Sequence, residues 1–199
     1  MIFDDRMDRL KRRAEPASGK LLPDMVLTNC KVINVFNGKI IHGNIAIDGG
    51  KIIGIGPYEA KEKIDLGGAY VAPGLIDAHM HMESTLVTPG QMARIIVPRG
   101  TTTVVADPHE IANVLGIEGV EFMLDATEKT TLNGFFMLPS CVPSTDFETS
   151  GAKLNADKLS ELFNHPKVLG LGELMNYPGV IAGDTDMLEK MNMAQSKII

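Results

Sequence analysis

The sequence predicts an α/β protein in which a small β domain precedes parallel βαβ units. Three observations carry this reading. Short strand patterns with tight-turn signals fill residues 24–70, strand and helix patterns then alternate at regular intervals, and a His-x-His pair closes the first apolar strand of that alternating part.

Residues 1–23 read as a helical segment. Ile2, Phe3, Met7 and Leu10 are spaced to share one face, and Pro16, Ser18 and Gly19 break the pattern. From Asp24 onward, Val26, Val32, Ile33, Val35 and Phe36 lead into Asn37-Gly38, a two-residue hairpin signal. A second strand over 39–48 ends at Gly49-Gly50, and a third covers 51–55. Such short strands predict a small antiparallel, β-sandwich-like domain over 24–70.

The remaining residues, 71–199, read as strands over 71–82, 101–106, 134–142 and 168–175. Helices over 89–97, 111–130 and 155–164 separate them, and a last helix is capped by Asp184 and Thr185. This length accommodates about four of the eight units of a (β/α)₈ barrel. Either the fold is a smaller open sheet or the chain is the front part of something longer. The bare Lys197-Ile198-Ile199 end favours the second expectation.

Composition narrows the class. With 44% hydrophobic and 22% charged residues, the chain is neither disordered nor a coiled-coil rod. The net charge is −6, and no basic run exceeds Lys11-Arg12-Arg13, so nucleic acid is not an expected partner. No apolar run reaches the ~18 residues of a membrane span, and the first residues lack the apolar stretch of a signal peptide. Cys30 and Cys141 form no framework. A cytoplasmic protein without membrane partners is expected.

The chemistry concentrates in three places. In Asp77-Ala78-His79-Met80-His81-Met82-Glu83, strand alternation puts His79 and His81 on one face, close enough to share a divalent metal. Asp77 and Glu83 share that parity if the strand stays regular. The bland alternative is two histidines in a polar loop, but only five histidines occur in the chain, and two fall here. In Gly170-Leu171-Gly172-Glu173, a carboxylate ends an otherwise apolar strand beside glycines that permit close approach, so Glu173 is a further ligand candidate. In Asp107-Pro108-His109-Glu110, three ionisable groups follow the second strand. They orient substrate or support ligands, or else Asp107 and Pro108 only form a turn.

The string 73–81 after a small β domain resembles the amidohydrolase superfamily. His81-Met82-Glu83-Ser84-Thr85 and the run from Val97 to Val114 resemble more narrowly its bacterial and archaeal adenine deaminases. The resemblance covers the chain from about Asp24 onward. It implies the first half of a (β/α)₈ TIM-type metal-dependent hydrolase barrel with a binuclear centre of Mn²⁺, Fe²⁺ or Zn²⁺. His79 and His81 match the first-strand ligands, and Glu173 matches the carboxylate bridging both metals. Histidines on strands five and six and an aspartate on strand eight are further family ligands, expected beyond residue 199. The implied reaction is hydrolytic deamination of adenine to hypoxanthine and ammonia, with Asp107, His109 and Glu110 in orienting roles and with assembly into a homo-oligomer left open. Another cyclic-amide or N-acyl amidohydrolase, a non-catalytic scaffold and an inactive fragment are the competing readings.

Overall fold

A computed structural model describes residues 7, 10, 11, 14–145, 147–195 and 197. Of the expected first helix, Ile2 and Phe3 lie outside the described residues, as do Ile198 and Ile199 at the other end. Met7 and Leu10 are helical and exposed. The chain divides into two compact units, Met1–Pro73 and Gly74–Ile199.

The first unit holds a five-stranded sheet. Strands β1 (Met25–Asn34), β2 (Lys39–Asp48) and β3 (Lys51–Ile55) pair antiparallel in the order β3-β2-β1. Strands β4 (Glu62–Asp65) and β5 (Tyr70–Val71) both join β1 in parallel. The sheet is therefore mixed rather than antiparallel, and among the described residues of this unit it is a single sheet rather than a sandwich. Its small core, Cys30, Val32 and Ile45 with Leu27, Ile41, Ile47, Leu66 and Val71, explains why Val71 belongs here and not to the first strand of the parallel part.

The β1–β2 connection also differs from the two-residue hairpin expected. Asn34 pairs with Lys39, leaving a four-residue loop. The Asn34 carbonyl accepts from Gly38 N at 2.8 Å, and its side chain accepts from Phe36 N at 3.0 Å. Asn34 caps the turn itself, so the strand ends before Val35 and Phe36.

The second unit is built on four parallel strands in the order β6-β7-β8-β9: Leu75–Met80, Thr101–Ala106, Asn133–Leu138 and Val168–Leu171. Val104 and Ala106, Gly134, Phe136 and Leu138, and Val168 and Gly170 are buried on one face. There they meet Met92, Ala93, Val120, Met123, Leu124, Leu159, Leu162 and Phe163 from the intervening helices. The alternate residues face the other way, as strand pleating requires.

The helix expected over 111–130 is two helices, His109–Leu115 and Ile117–Glu128, broken at Gly116. Gly116 sits at φ 64°, ψ −137°, a conformation that only glycine adopts readily. Asn155 caps the helix Ala156–Phe163 by accepting from Lys158 N, and Asp184 accepts from Met187 N at 2.9 Å, both as the sequence indicates. A short helix, Tyr177–Ala182, precedes the last one, Thr185–Gln195, where the sequence reading placed none. Among the described residues, no helix is long and apolar enough to cross a membrane.

Lys190, in the last helix, is 1% exposed. Its ammonium donates to the carbonyls of Ser140 at 3.0 Å and Leu154 at 2.7 Å and pairs with Asp186 Oδ2 at 2.7 Å, which uses all three N–H groups. Ser140 Oγ in turn donates to the Glu173 carbonyl, so this buried cation fixes the segment that carries Glu173. Lys190→Met keeps the side chain's length but orphans two carbonyls on buried residues and removes the partner of the partly exposed Asp186. It is expected to cost about 2–4 kcal/mol, read as a lower urea midpoint at unchanged slope.

Candidate metal centre

Strand register brings the candidate residues to one level. Met80 pairs with Ala106, Ala106 with Phe136, and Leu138 with Leu171. Asp107 N donates to the Met80 carbonyl at 2.9 Å, and Gly172 N to that of Leu138 at 2.7 Å. His81, Asp107 and Glu173 thus follow directly on the carboxyl ends of β6, β7 and β9, where parallel α/β sheets build their sites. Met80 packs on the helical core, so His79 projects from the opposite face.

On that face His79, His81 and Glu173 converge. One potential ligand atom from each lies within 4.8 Å of the others. Glu173 Oε1 is 3.2 Å from His81 Nε2 and 3.8 Å from His79 Nε2, and the two rings are 5.6 Å apart. His81 Nδ1 lies 3.2 Å from Glu110 Oε2, an ion-pair contact without a hydrogen bond. Glu110 Oε1 accepts from Ser84 Oγ at 3.0 Å. An imidazole with one nitrogen toward a shared ligand point and the other toward a carboxylate is how metal-binding histidines are held.

The cluster continues past the triad. Asp107 is 3% exposed, and neither of its oxygens has a hydrogen-bond partner; Glu83 Oε2 and His109 Nδ1 are also buried and unpartnered. A Cβ on Gly172 would come within 2.3 Å of Asp107 Oδ2, so the glycine lets Asp107 lie beneath Glu173. Buried oxygens left bare are costly, and a cation offsets that cost. The donor set, two imidazoles and several carboxylates, suits a first-row divalent ion.

Burial drives the protonation states. It pushes the Asp107 carboxyl up to about 7; the neighbouring carboxylates of Glu173, Glu110 and Glu83 add to this, while His81 opposes it. Burial also raises Glu83, against the Ile111 N–H that its carboxylate accepts at 3.2 Å, and lowers His109. At His81 burial disfavours the charged ring, but Glu110, Asp107 and Glu173 outweigh it and the pKa is raised.

Two sequence expectations change. The strand stops at Met80, and Met82–Thr85 is a 3-10 turn, so Glu83 turns toward the helix His109–Leu115 instead of lining up with the histidines. Asp77 accepts from His79 N at 3.3 Å and is not in the triad. The sequence reading put Glu83 beside the histidines only on a regular strand and allowed Asp107 to be a mere turn residue. No local pattern marks the burial of either, because that burial comes from the packing of β9 and of the helix after β7.

Comparison with known proteins gives a consistent picture. The chain is 51% identical over 187 residues to the adenine deaminase of Clostridium acetobutylicum, covering 94% of this chain and 33% of that one. It is 52% identical over 183 residues to the adenine deaminase of Kosmotoga olearia, covering 91% and 32%. The chain spans about one third of the length of these curated relatives. Among solved structures, N-acyl-D-glutamate deacylase from Bordetella bronchiseptica shares the fold at 15% identity, with a TM-score of 0.54 over 89% of this chain and 44% of that one. The atrazine chlorohydrolase TrzN of Arthrobacter aurescens TC1 does so at 14% identity, with a TM-score of 0.52 over 80% and 51%. The sequence model of the amidohydrolase family matches residues 70–198, and the chain belongs to that family.

Proposed function

We propose that this chain forms part of a cytoplasmic metal-dependent hydrolase that converts adenine and water to hypoxanthine and ammonia in purine catabolism. The observation that carries the reading is the convergence of His79, His81 and Glu173 on one ligand point. The choice of substrate rests on the adenine deaminases that match nearly the whole chain. In this reading the four parallel strands are the first half of a (β/α)₈ barrel.

His79, His81 and Glu173 would hold the metal, with Glu173 as the bridge in a binuclear centre of Mn²⁺, Fe²⁺ or Zn²⁺. The crowding of Glu83, Asp107, Glu110 and Glu173 around the two histidines supports a binuclear centre. Once bound, such ions polarise the substrate and make water acidic enough to ionise near neutral pH. The chain's own groups handle orientation and protons. Glu110 fixes the His81 ring. Asp107, buried against Gly172, is an orienting group at the site. His109, held neutral by burial, offers Nδ1 to the purine ring.

The complete gene product loaded with Mn²⁺ is expected to release hypoxanthine from adenine. His81→Ala should lower both bound metal and turnover by more than about 100-fold; unchanged metal content would refute the ligand assignment. Gly172→Ala drives a methyl into Asp107 Oδ2. Metal affinity should fall about tenfold or more with the circular dichroism spectrum unaltered.

The pH dependence of the metal-free fold follows from Asp107. Its folded pKa, about 7, lies above the ordinary 3.8, so the folded chain keeps a proton that the unfolded chain gives up. That contribution to stability is complete below about pH 4 and is lost as pH rises through about 7. Urea titrations should show wild type losing stability over this window relative to Asp107→Asn; parallel curves would show that Asp107 ionises normally.

A further inference from the structure

The turn that follows the histidine pair is locked to the helix that follows the next strand. Met82, the first residue of the turn Met82–Thr85, is fully buried in the helical core. Thr85 Oγ1 closes the turn by donating to the Met82 carbonyl at 2.6 Å, and Ser84 N donates to the His81 carbonyl at 3.2 Å. Glu83 and Ser84 reach across to the first turn of the helix His109–Leu115. Glu83 Oε1 accepts from Ile111 N at 3.2 Å, and Ser84 Oγ donates to Glu110 Oε1 at 3.0 Å.

These contacts do different work. Thr85 satisfies a backbone carbonyl of its own turn, and Glu83 satisfies a backbone N–H at the start of the helix. Ser84 instead binds a side-chain carboxylate, and both partners are exposed, where water could serve either of them. What the hydroxyl decides is which way Glu110 faces. With Oε1 held by Ser84, Oε2 stands 3.2 Å from His81 Nδ1. The other ring nitrogen, Nε2, then faces Glu173 Oε1 at 3.2 Å. A carboxylate opposite one imidazole nitrogen selects the tautomer and leaves the other nitrogen to coordinate.

We propose that Ser84 is a positioning residue for the metal centre, holding the Glu110 carboxylate opposite His81 Nδ1 and so fixing which nitrogen the ring offers to an ion. The role rests on the proposed ligand set and not on the choice of substrate. Glu110 has a long, rotatable side chain on an exposed helical position, and a carboxylate released by the hydroxyl turns out to water. The His81 ring then regains its second tautomer and other orientations. Part of the energy of ion binding is spent on ordering it again.

The test is Zn²⁺ affinity, measured by chelator competition on the complete gene product. Wild type is compared with Ser84→Ala, Ser84→Thr, Glu110→Ala and the double variant Ser84→Ala/Glu110→Ala. Ser84 and Glu110 are exposed, so the metal-free proteins should melt alike. Ser84→Ala should bind Zn²⁺ about tenfold more weakly, and threonine, which keeps the hydroxyl, should restore the affinity. In the Glu110→Ala background the same substitution should change affinity by less than about twofold, because the hydroxyl has lost the group it holds. The visible absorption of the Co²⁺-loaded protein should shift in Ser84→Ala and not in Ser84→Thr. This pattern in a protein that leaves adenine unchanged would support the positioning role and refute the deaminase reading. Equal affinity of wild type and Ser84→Ala, or an equal loss in both backgrounds, overturns the positioning role. No Zn²⁺ binding by wild type overturns the ligand assignment and the role with it.

Discussion

The structure turns on a carboxylate from its fourth parallel strand meeting imidazoles from its first. In a flat sheet β6 and β9 would stand about 14 Å apart, three strand spacings of ~4.8 Å. Side chains rise roughly perpendicular to a sheet and do not reach along it. The 3.2 Å separation of Glu173 and His81 is reached past the strand ends, His81 following Met80 and Glu173 following Leu171, where the chain leaves the sheet. Asp107 likewise meets the space beside Gly172 past the strand ends, although β8 lies between their strands.

The same constraint explains the electrostatics. A site crowded with Glu83, Asp107, Glu110 and Glu173 repels itself, and the chain manages this in distinct ways. Ser84 donates to Glu110 and the Ile111 N–H to Glu83, while Asp107 keeps a proton up to about 7. These devices leave several acceptors bare, which a fold selected for stability alone would avoid. Lys190 shows the contrast within the same unit: a buried charge with every N–H satisfied, serving to hold the Ser140 segment.

The legible parts of the fold were those with local signatures. Thr101–Ala106 reads as a strand from its β-branched run, Asn155 and Asp184 cap as their side chains dictate, and His79 with His81 announces itself by spacing. Glu173 was a ligand candidate as a carboxylate ending an apolar strand beside glycines, and its match to the bridging carboxylate came from resemblance, since the long intervening sequence leaves no periodic trace. Parallel addition of β4 and β5 to β1 was not legible, because both strands are short and β4 is exposed throughout. Gly116 as a helix break was missed because an isolated glycine inside a helical pattern usually persists; only its positive φ reveals the turn.

The claim beneath all of this is that His79, His81 and Glu173 act together on one ion. Anomalous diffraction at the zinc edge, from crystals of the Zn²⁺-loaded protein, tests it most directly. The account predicts a peak about 2.0–2.2 Å from a nitrogen of each histidine and an oxygen of Glu173. A peak bound elsewhere, or one that leaves any of the three side chains out of reach, would contradict it.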